Sequence, residues 1–280
     1  MGGGERPAHS CDVHDDRGGV SEAQTARQYD SWLRRASLSG RGYEFLASVP
    51  GSMLVNTPVF QLDKNLVLKP EQRLLDIGCG PASLLQVLAS RVAFETPPVG
   101  IDLSREMLVR GRREIGRGDR TIELVQGAGA SMPIAADAFD VATCGYVVKH
   151  LDDAGLSRLL REVLRVLKPG GFAVLWEFSP TRSPTLNAWH RWVLTRGVES
   201  CNLRGYAQLA AAATSAGFEW VENAHLRPFL FPPIPRASVI LGKAPEEWRG
   251  RTGPGRARRA AIHAVQDARD LTPGGTGAGP

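Results

Sequence analysis

The sequence predicts an α/β fold: a seven-stranded, mostly parallel sheet with helices on both faces and an antiparallel last strand. Three observations carry this. From Arg73 to Phe178, short apolar runs of strand length alternate with stretches of helical periodicity. The first such run ends in a glycine turn, "DIGCGPAS", that opens directly into a helical pattern. After Phe178 the alternation stops, and two late strand-like runs are separated by the Pro-rich loop "RPFLFPPIP". Strands that alternate with helices imply βαβ units and a parallel sheet covered on both faces. Two late strands joined by a loop suit an antiparallel edge pair.

Residues 1–21 are polar and Gly-rich, the composition of a disordered segment. Helical fragments follow in 22–70, "EAQTARQYDSWLRRA", "GYEFLASV" and "PVFQLDKNLVL", punctuated by Pro50-Gly51 and Pro58. Lys69-Pro70-Glu71 then marks a turn. "RLLDI" reads as the first strand and "ASLLQVLASRV" as its helix. "PVGID" and "SREMLVRGRREI" make the second pair. "TIELVQG" and "AFDVATCGYV" are the next two strands. "DAGLSRLLREVLRVL" places leucines at i, i+3 and i+4, a helix with one apolar face. Lys168-Pro169-Gly170-Gly171 reads as a helix stop and chain reversal before the fifth strand, "GFAVLWEF". Beyond it, "LRGYAQLAAAATSAG" reads as a helix, and "FEWVENAHL" and "RASVILGK" as the last two strands.

With 280 residues and 42% hydrophobic content, one domain spanning 22–248 buries a full core. The net charge of +5 is concentrated in 249–280, where six arginines stand against two aspartates. That segment reads as a basic disordered tail and leaves the rest near neutrality, which speaks against a nucleic-acid surface on the fold. The four cysteines, Cys11, Cys79, Cys144 and Cys201, form no CxxC pair, so neither a zinc site nor a disulfide framework is expected. No acidic or histidine cluster has metal-ligand spacing. No apolar leader and no membrane-length apolar run are seen, and the chain reads as cytoplasmic.

In an open parallel sheet, ligands bind outside the carboxyl ends of the strands, where strand order reverses. The residues just after each strand therefore converge. They are Asp76, Gly78, Cys79, Gly80 and Pro81; Asp102, Leu103 and Ser104; Ala128, Gly129 and Ala130; and Cys144, Gly145, Tyr146 and His150. Gly78 and Gly80 let the backbone approach a ligand and adopt positive φ. The helix start near Ala82 suits an anion. Asp102 can accept from both hydroxyls of a ribose. The crevice thus suits a nucleoside carrying an anionic group. The dinucleotide fingerprint is incomplete, because Ser83 stands where its third glycine belongs, and no P-loop lysine is present.

"LLDIGCGPA", "VGIDLSREML", "QGAGASMPIAADAFDVATC", "VLRVLKPGGFAVLWEF" and "AGFEWV" occur in order across about Arg73 to Lys243. Together they resemble the successive blocks of the class I S-adenosylmethionine-dependent methyltransferases. The closest likeness is to the small-molecule group that includes ubiquinone and menaquinone biosynthesis enzymes. The resemblance implies a Rossmann-like sheet, an N-terminal helical lid, the cofactor S-adenosyl-L-methionine and the product S-adenosyl-L-homocysteine. Carried over by residue, it implies that Asp76, Gly78, Cys79 and Gly80 surround the methionine part and that Asp102 binds the ribose. Leu103 and Met107 would lie beside the adenine, Ala128 and Gly129 at its edge, and Cys144 and Gly145 again at the methionine part. Tyr29 would close the lid. Ala128 departs from the aspartate the family often has there, so one hydrogen bond to the adenine amino group must come from elsewhere.

The expected activity is methyl transfer to a small, largely apolar molecule in specialised metabolism, O-methylation first and C-methylation second. His150 is the first candidate base and His190 the second. Tyr146, Trp189, Trp192, Phe229 and Phe231 are the candidate walls of the acceptor pocket. The alternatives are a non-methylating enzyme on the same cofactor, such as a cyclase, an inactive cofactor-binding regulator and, more distantly, a nicotinamide enzyme. The expected partner is a small methyl acceptor, with no nucleic acid and no membrane span; the sequence leaves the oligomeric state open.

Overall fold

The computed structural model describes Gln24, Arg27, Asp30, Ser31 and residues 68–116, 121–194, 201–226, 228 and 235–246. The apolar runs form strands β1 (Leu74–Ile77), β2 (Val99–Asp102), β3 (Glu123–Gln126), β4 (Phe139–Gly145), β5 (Leu167–Phe178), β6 (Trp220–Asn223) and β7 (Arg236–Gly242). The helical patterns form α1 (Ser83–Ala89), α2 (Arg105–Ile115), α3 (Asp153–Val166), α4 (Pro184–Leu194) and α5 (Tyr206–Ala216). Gln24, Arg27, Asp30 and Ser31 are helical too, as the sequence predicts for that stretch.

One sheet holds all seven strands, in the order β3-β2-β1-β4-β5-β7-β6. β1, β2, β3, β4 and β5 pair in parallel. β7 is antiparallel to both of its neighbours, β5 and β6. The two late strands are thus an antiparallel pair, but the later one is the inner one: β7 inserts between β5 and β6. Its apolar run "ASVILG" is the more buried of the two, and the polar β6, "WVEN", takes the edge.

Strand parity divides the core. Leu75 and Ile77 face one side, where they meet Leu156, Leu159, Leu160, Val163 and Val166 of α3 and Leu209 and Ala213 of α5. Leu74 faces the other, with Val141, Val174 and Trp176, and packs under Leu84, Leu85, Val87 and Leu88 of α1. Helices therefore cover both faces. The start of α3 is fixed by Asp152, whose side chain accepts from Gly155 N–H at 2.6 Å. α2 is capped in the same way by Ser104.

The expected reversal at Lys168–Gly171 is not a turn between separate elements. α3 runs straight into β5 at Leu167, and the Pro-Gly-Gly stretch is a bulge inside the strand. The register jumps from Phe139↔Leu167 to Val141↔Phe172, with Gly170 at φ +77°. Asp140 binds the bulge: its Oδ2 accepts from Lys168 Nζ at 2.7 Å and from Arg73 N–H at 2.8 Å. A Cβ on Gly171 would stand 2.9 Å from Asp140 O, so the bulge admits only glycine there.

Leu159 is fully buried where α3 crosses the sheet, so Leu159→Ala should cost about 2–5 kcal/mol in urea unfolding, with little change in the slope of the transition.

Candidate functional site

Strand order reverses between β1 and β4, and the carboxyl ends of β1, β2 and β4 frame the crevice. The turn after β1 is tied to the end of β2. Ile101 O accepts from both Gly78 N–H, at 2.8 Å, and Cys79 N–H, at 3.1 Å. Asp102 then bridges two loops: its Oδ2 accepts from Gly80 N–H and its Oδ1 from Ser104 N–H, each at 2.8 Å. Each oxygen keeps further accepting capacity, so the carboxylate can also take ribose hydroxyls. Burial raises its pKa, and the two N–H groups partly offset that.

Gly78, Gly80 and Ala82 all lie at positive φ, +69°, +54° and +59°. The two glycines differ in their surroundings. A Cβ on Gly80 would meet nothing within 4 Å, so this residue borders open space. A Cβ on Gly78 would stand 2.2 Å from Val147 Cγ2. Gly78 is therefore required by the backbone and by the β4 loop, independently of any ligand. Gly145 behaves in the same way: its missing side chain makes room for the Trp176 ring, 2.3 Å from a Cβ built there.

Other expected contacts are corrected by side-chain direction. Cys79 turns its sulfur under Gly100, at whose built Cβ it would stand 2.7 Å away. Cys144 packs in the core on the α3 face, and burial pushes its thiol pKa up. Asp76 is buried and accepts from Thr143 Oγ1 at 2.7 Å; burial, partly relieved by that bond and reinforced by Asp102, raises its pKa to about 7. Leu103 is partly buried beside Asp102, and Met107 is buried with its N–H on Ser104 Oγ at 3.2 Å. Ala128 and Gly129 form a tight turn closed by Ser131 N–H on Ala128 O at 3.2 Å. Arg165 of α3 holds that loop through the carbonyls of Met132 and Ile134.

The other side of the crevice lies over β4 and β5. Tyr146 sits at φ +58°, an uncommon conformation for a non-glycine residue, and its ring stacks on Phe178 with centroids 4.5 Å apart. Arg236 of β7 lies 5.8 Å from that ring. His150 ends a single 3-10 turn, Val148–His150, that follows. A buried network fixes this turn. Glu177, fully buried at the end of β5, accepts from Lys149 N–H at 2.9 Å and Phe178 N–H at 2.8 Å, and Lys149 Nζ lies 3.9 Å from its Oε1. Arg204 donates to the carbonyls of Val148 and Leu151 and pairs with Asp153 at 2.8 Å. Glu177 thus serves the loop. Its pKa is raised by burial and drawn back by Lys149.

His190 of α4 is fully buried; burial lowers its pKa, and neither ring nitrogen has a hydrogen-bond partner among the described residues. Trp189 and Trp192 are 43% and 57% exposed on the outer side of α4, which is not the setting of a buried pocket wall. Tyr29, Phe229 and Phe231 lie outside the described residues. Sequence reasoning missed Asp30, which accepts a short hydrogen bond from Ser104 Oγ and so joins the N-terminal helical residues to the loop after β2. No spacing signals a contact across 74 positions. Thr143 was missed because it reads as an ordinary strand residue. Among the described residues no group of three or more His, Cys, Asp or Glu could hold a metal, and no helix is long and apolar enough to cross a membrane.

A seven-stranded sheet of this order, with a glycine turn at its switch point, defines a Rossmann-like fold. Residues 74–171 match the family described as "Methyltransferase domain", and this part of the chain is similar to class I S-adenosylmethionine-dependent methyltransferases. The chain is 33% identical over 121 residues to the demethylmenaquinone methyltransferase of Lysinibacillus sphaericus, covering 43% of this chain and 50% of that protein. It is 33% identical over 126 residues to the 2-phytyl-1,4-naphtoquinone methyltransferase of Thermosynechococcus vestitus, covering 44% and 54%. It spans about half the length of these curated relatives. Among solved structures, the [4+2]-cyclase SpnF superposes with a TM-score of 0.59 at 20% identity, over 81% of this chain and 98% of that one. The residues present fit the cofactor: Gly80 borders open space, and the Asp102 carboxylate stands beside it with accepting capacity in hand.

The glycine pair separates fold from binding. Gly78→Ala should destabilise the protein by more than the roughly 1–2 kcal/mol of left-handed strain, because Val147 must also move. Gly80→Ala should add only that strain, yet weaken S-adenosylhomocysteine binding tenfold or more, about 1.4 kcal/mol, in a calorimetric titration. Asp76 gives a pH signature. Its folded pKa lies near 7, above its ordinary value of 3.8, so its contribution is intact below the lower value and is lost as pH rises towards the upper one. Without ligand, the stability gap between Asp76→Asn and the parent should therefore shift in favour of Asn by on the order of 3–4 kcal/mol between pH 4 and pH 8.

Proposed function

We propose that the protein transfers a methyl group from S-adenosylmethionine to a small, largely apolar acceptor of the prenylated quinone or hydroquinone kind. The observation that carries the reading is the pairing of an open glycine cradle at Gly80 with the Asp102 carboxylate, inside a segment that matches a methyltransferase domain. The named acceptors of the two quinone methyltransferases above supply the acceptor class.

When bound, the cofactor supplies a methyl group activated by a sulfonium. The chain's own task is to place the acceptor and exclude water. Asp102 would hold the ribose and the backbone around Gly78–Gly80 the methionine part, with Leu103 and Met107 flanking the adenine and Ala128 and Gly129 at its edge. Ala128 brings no carboxylate, so the adenine amino group would be met by backbone. Tyr146, on the β4 side, would form one wall for the acceptor ring, and Tyr29 would close the other side.

An oxygen acceptor loses a proton, whereas a carbon acceptor loses it only after transfer. The oxygen reading is supported by His190, whose pKa burial lowers, and by His150 on the turn that follows β4. His150 is the base we assign first. A second reading, a cyclisation on the same cofactor without methyl transfer, is favoured by the cyclase neighbour, since that fold is shared.

A donor carrying a labelled methyl separates these readings. Label should appear in a demethylated prenyl-naphthoquinol, and NMR of the product should place it on oxygen; label on a ring carbon replaces the oxygen reading, and no transfer to any quinol rejects the proposal. His150→Gln should lower turnover by about 10²–10⁴ and leave S-adenosylhomocysteine affinity unchanged. Unchanged turnover removes His150 from the mechanism and passes the role to His190.

A further inference from the structure

Three apolar residues of helix α4, Leu186, Trp189 and Trp192, are 40%, 43% and 57% exposed, while its polar His190 is fully buried. Asn187 is partly buried, and its amide is used locally: Oδ1 accepts from Thr181 N–H at 2.7 Å and Nδ2 donates to Thr181 O at 2.9 Å. Leu186, Trp189 and Trp192 recur at i, i+3 and i+6 and so form one outward stripe about 120° wide on the helix. A helix that only closes a domain turns such residues inward. Contiguous exposed apolar side chains on a surface helix mark a contact with something else.

The surroundings select the partner. From Ser179 to Val198 the sequence has Arg182, Arg191 and Arg196 and no carboxylate, and Arg182 and Arg191 are exposed. A second copy packed stripe to stripe would set these cations against themselves. Indole rings favour the boundary between headgroups and acyl chains, and arginines beside them favour anionic headgroups.

We propose that the outer face of α4 is a membrane-surface docking site, with Leu186, Trp189 and Trp192 inserted among the lipids of an anionic bilayer and Arg182 and Arg191 at the headgroups. The helix follows the carboxyl end of β5, the end at which the sheet carries its crevice, so docking would bring a lipid-borne molecule to that end. The inference stands on α4 alone and does not require that the protein transfer methyl groups.

The test uses the full chain with vesicles of phosphatidylcholine, alone or mixed with phosphatidylglycerol. The expected result is co-sedimentation with the mixed vesicles, a blue shift of tryptophan fluorescence and quenching by lipids carrying a shallow spin label. Leu186→Ser/Trp189→Ser/Trp192→Ser together should weaken binding by at least about tenfold, with unchanged circular dichroism and unchanged S-adenosylhomocysteine affinity. Equal vesicle binding by parent and variant assigns attraction to the arginines and overturns the proposal. So does a parent that self-associates through the stripe and ignores vesicles. Should the variant fail to fold, the parent decides: absence of spin-label quenching overturns the proposal.

Discussion

The site depends on one carboxylate with two backbone donors. Asp102 holds Gly80 N–H and Ser104 N–H at the same distance, and so fixes the glycine turn after β1 against the start of α2. Ile101 O, one residue earlier, takes the two preceding N–H groups of the same turn. Three consecutive amides are thereby directed into the end of β2 and not into a helix of their own, which is why the turn runs through positive φ at Gly78, Gly80 and Ala82. The same carboxylate is left beside the open space at Gly80. Burial makes that group expensive to ionise unless those donors remain. Ser104 extends the arrangement: its N–H goes to Asp102, its oxygen caps α2 through Met107 and its hydroxyl reaches Asp30. A change at any of these positions is felt by the others, so additive effects are not expected among them.

Much of this was legible because period and parity are written in the chain. The strands of β1 to β5 and the leucine face of α3 follow from alternation and helical spacing, and the crevice follows from listing what comes after each strand. The order of β6 and β7 was not legible from chain order, since consecutive strands are expected side by side with the earlier one inside, and the contrast between the polar "WVEN" and the apolar "ASVILG" decides it. The bulge at Lys168–Gly171 reads as a turn because Pro and Gly serve both, and the deciding contact is with Asp140, far earlier in the chain. Cysteines and glycines after strands looked like ligand contacts. The pleat sends Cys144 to the α3 face, and Val147 and Trp176 occupy the space that Gly78 and Gly145 leave. A small residue at a strand end has two explanations, a ligand or a neighbouring side chain, and only geometry chooses between them.

The β4 loop shows a second kind of constraint. Tyr146 occupies the left-handed region without being glycine, at a cost of about 1–2 kcal/mol. Its conformation is held from several directions: its own N–H donates to Trp176 O at 2.9 Å, Lys149 Nζ donates to its carbonyl, and its ring stacks on Phe178. Glu177 anchors Lys149, and the segment Asn202–Arg204 straps the following turn through Lys149 O, Val148 O and Leu151 O. A buried ion pair contributes little net stability after desolvation, but removing one partner leaves the other buried and unpaired. The network is thus better understood as fixing one loop conformation than as strengthening the fold. What it fixes is the direction of Tyr146 and the position of His150.

The two sides of the crevice are therefore built by different means. On the cofactor side, backbone amides and one carboxylate do the positioning, and these depend little on side-chain identity beyond glycine and aspartate. On the β4 and β5 side, aromatic stacking, buried charges and a strap from beyond α4 do it, and each depends on particular side chains. The first arrangement tolerates few substitutions and serves a constant ligand. The second depends on side chains, such as the Tyr146 ring stacked on Phe178, that lie outside the hydrogen-bonded ladder of the sheet. The exposed stripe of α4 lies on the second of these two sides.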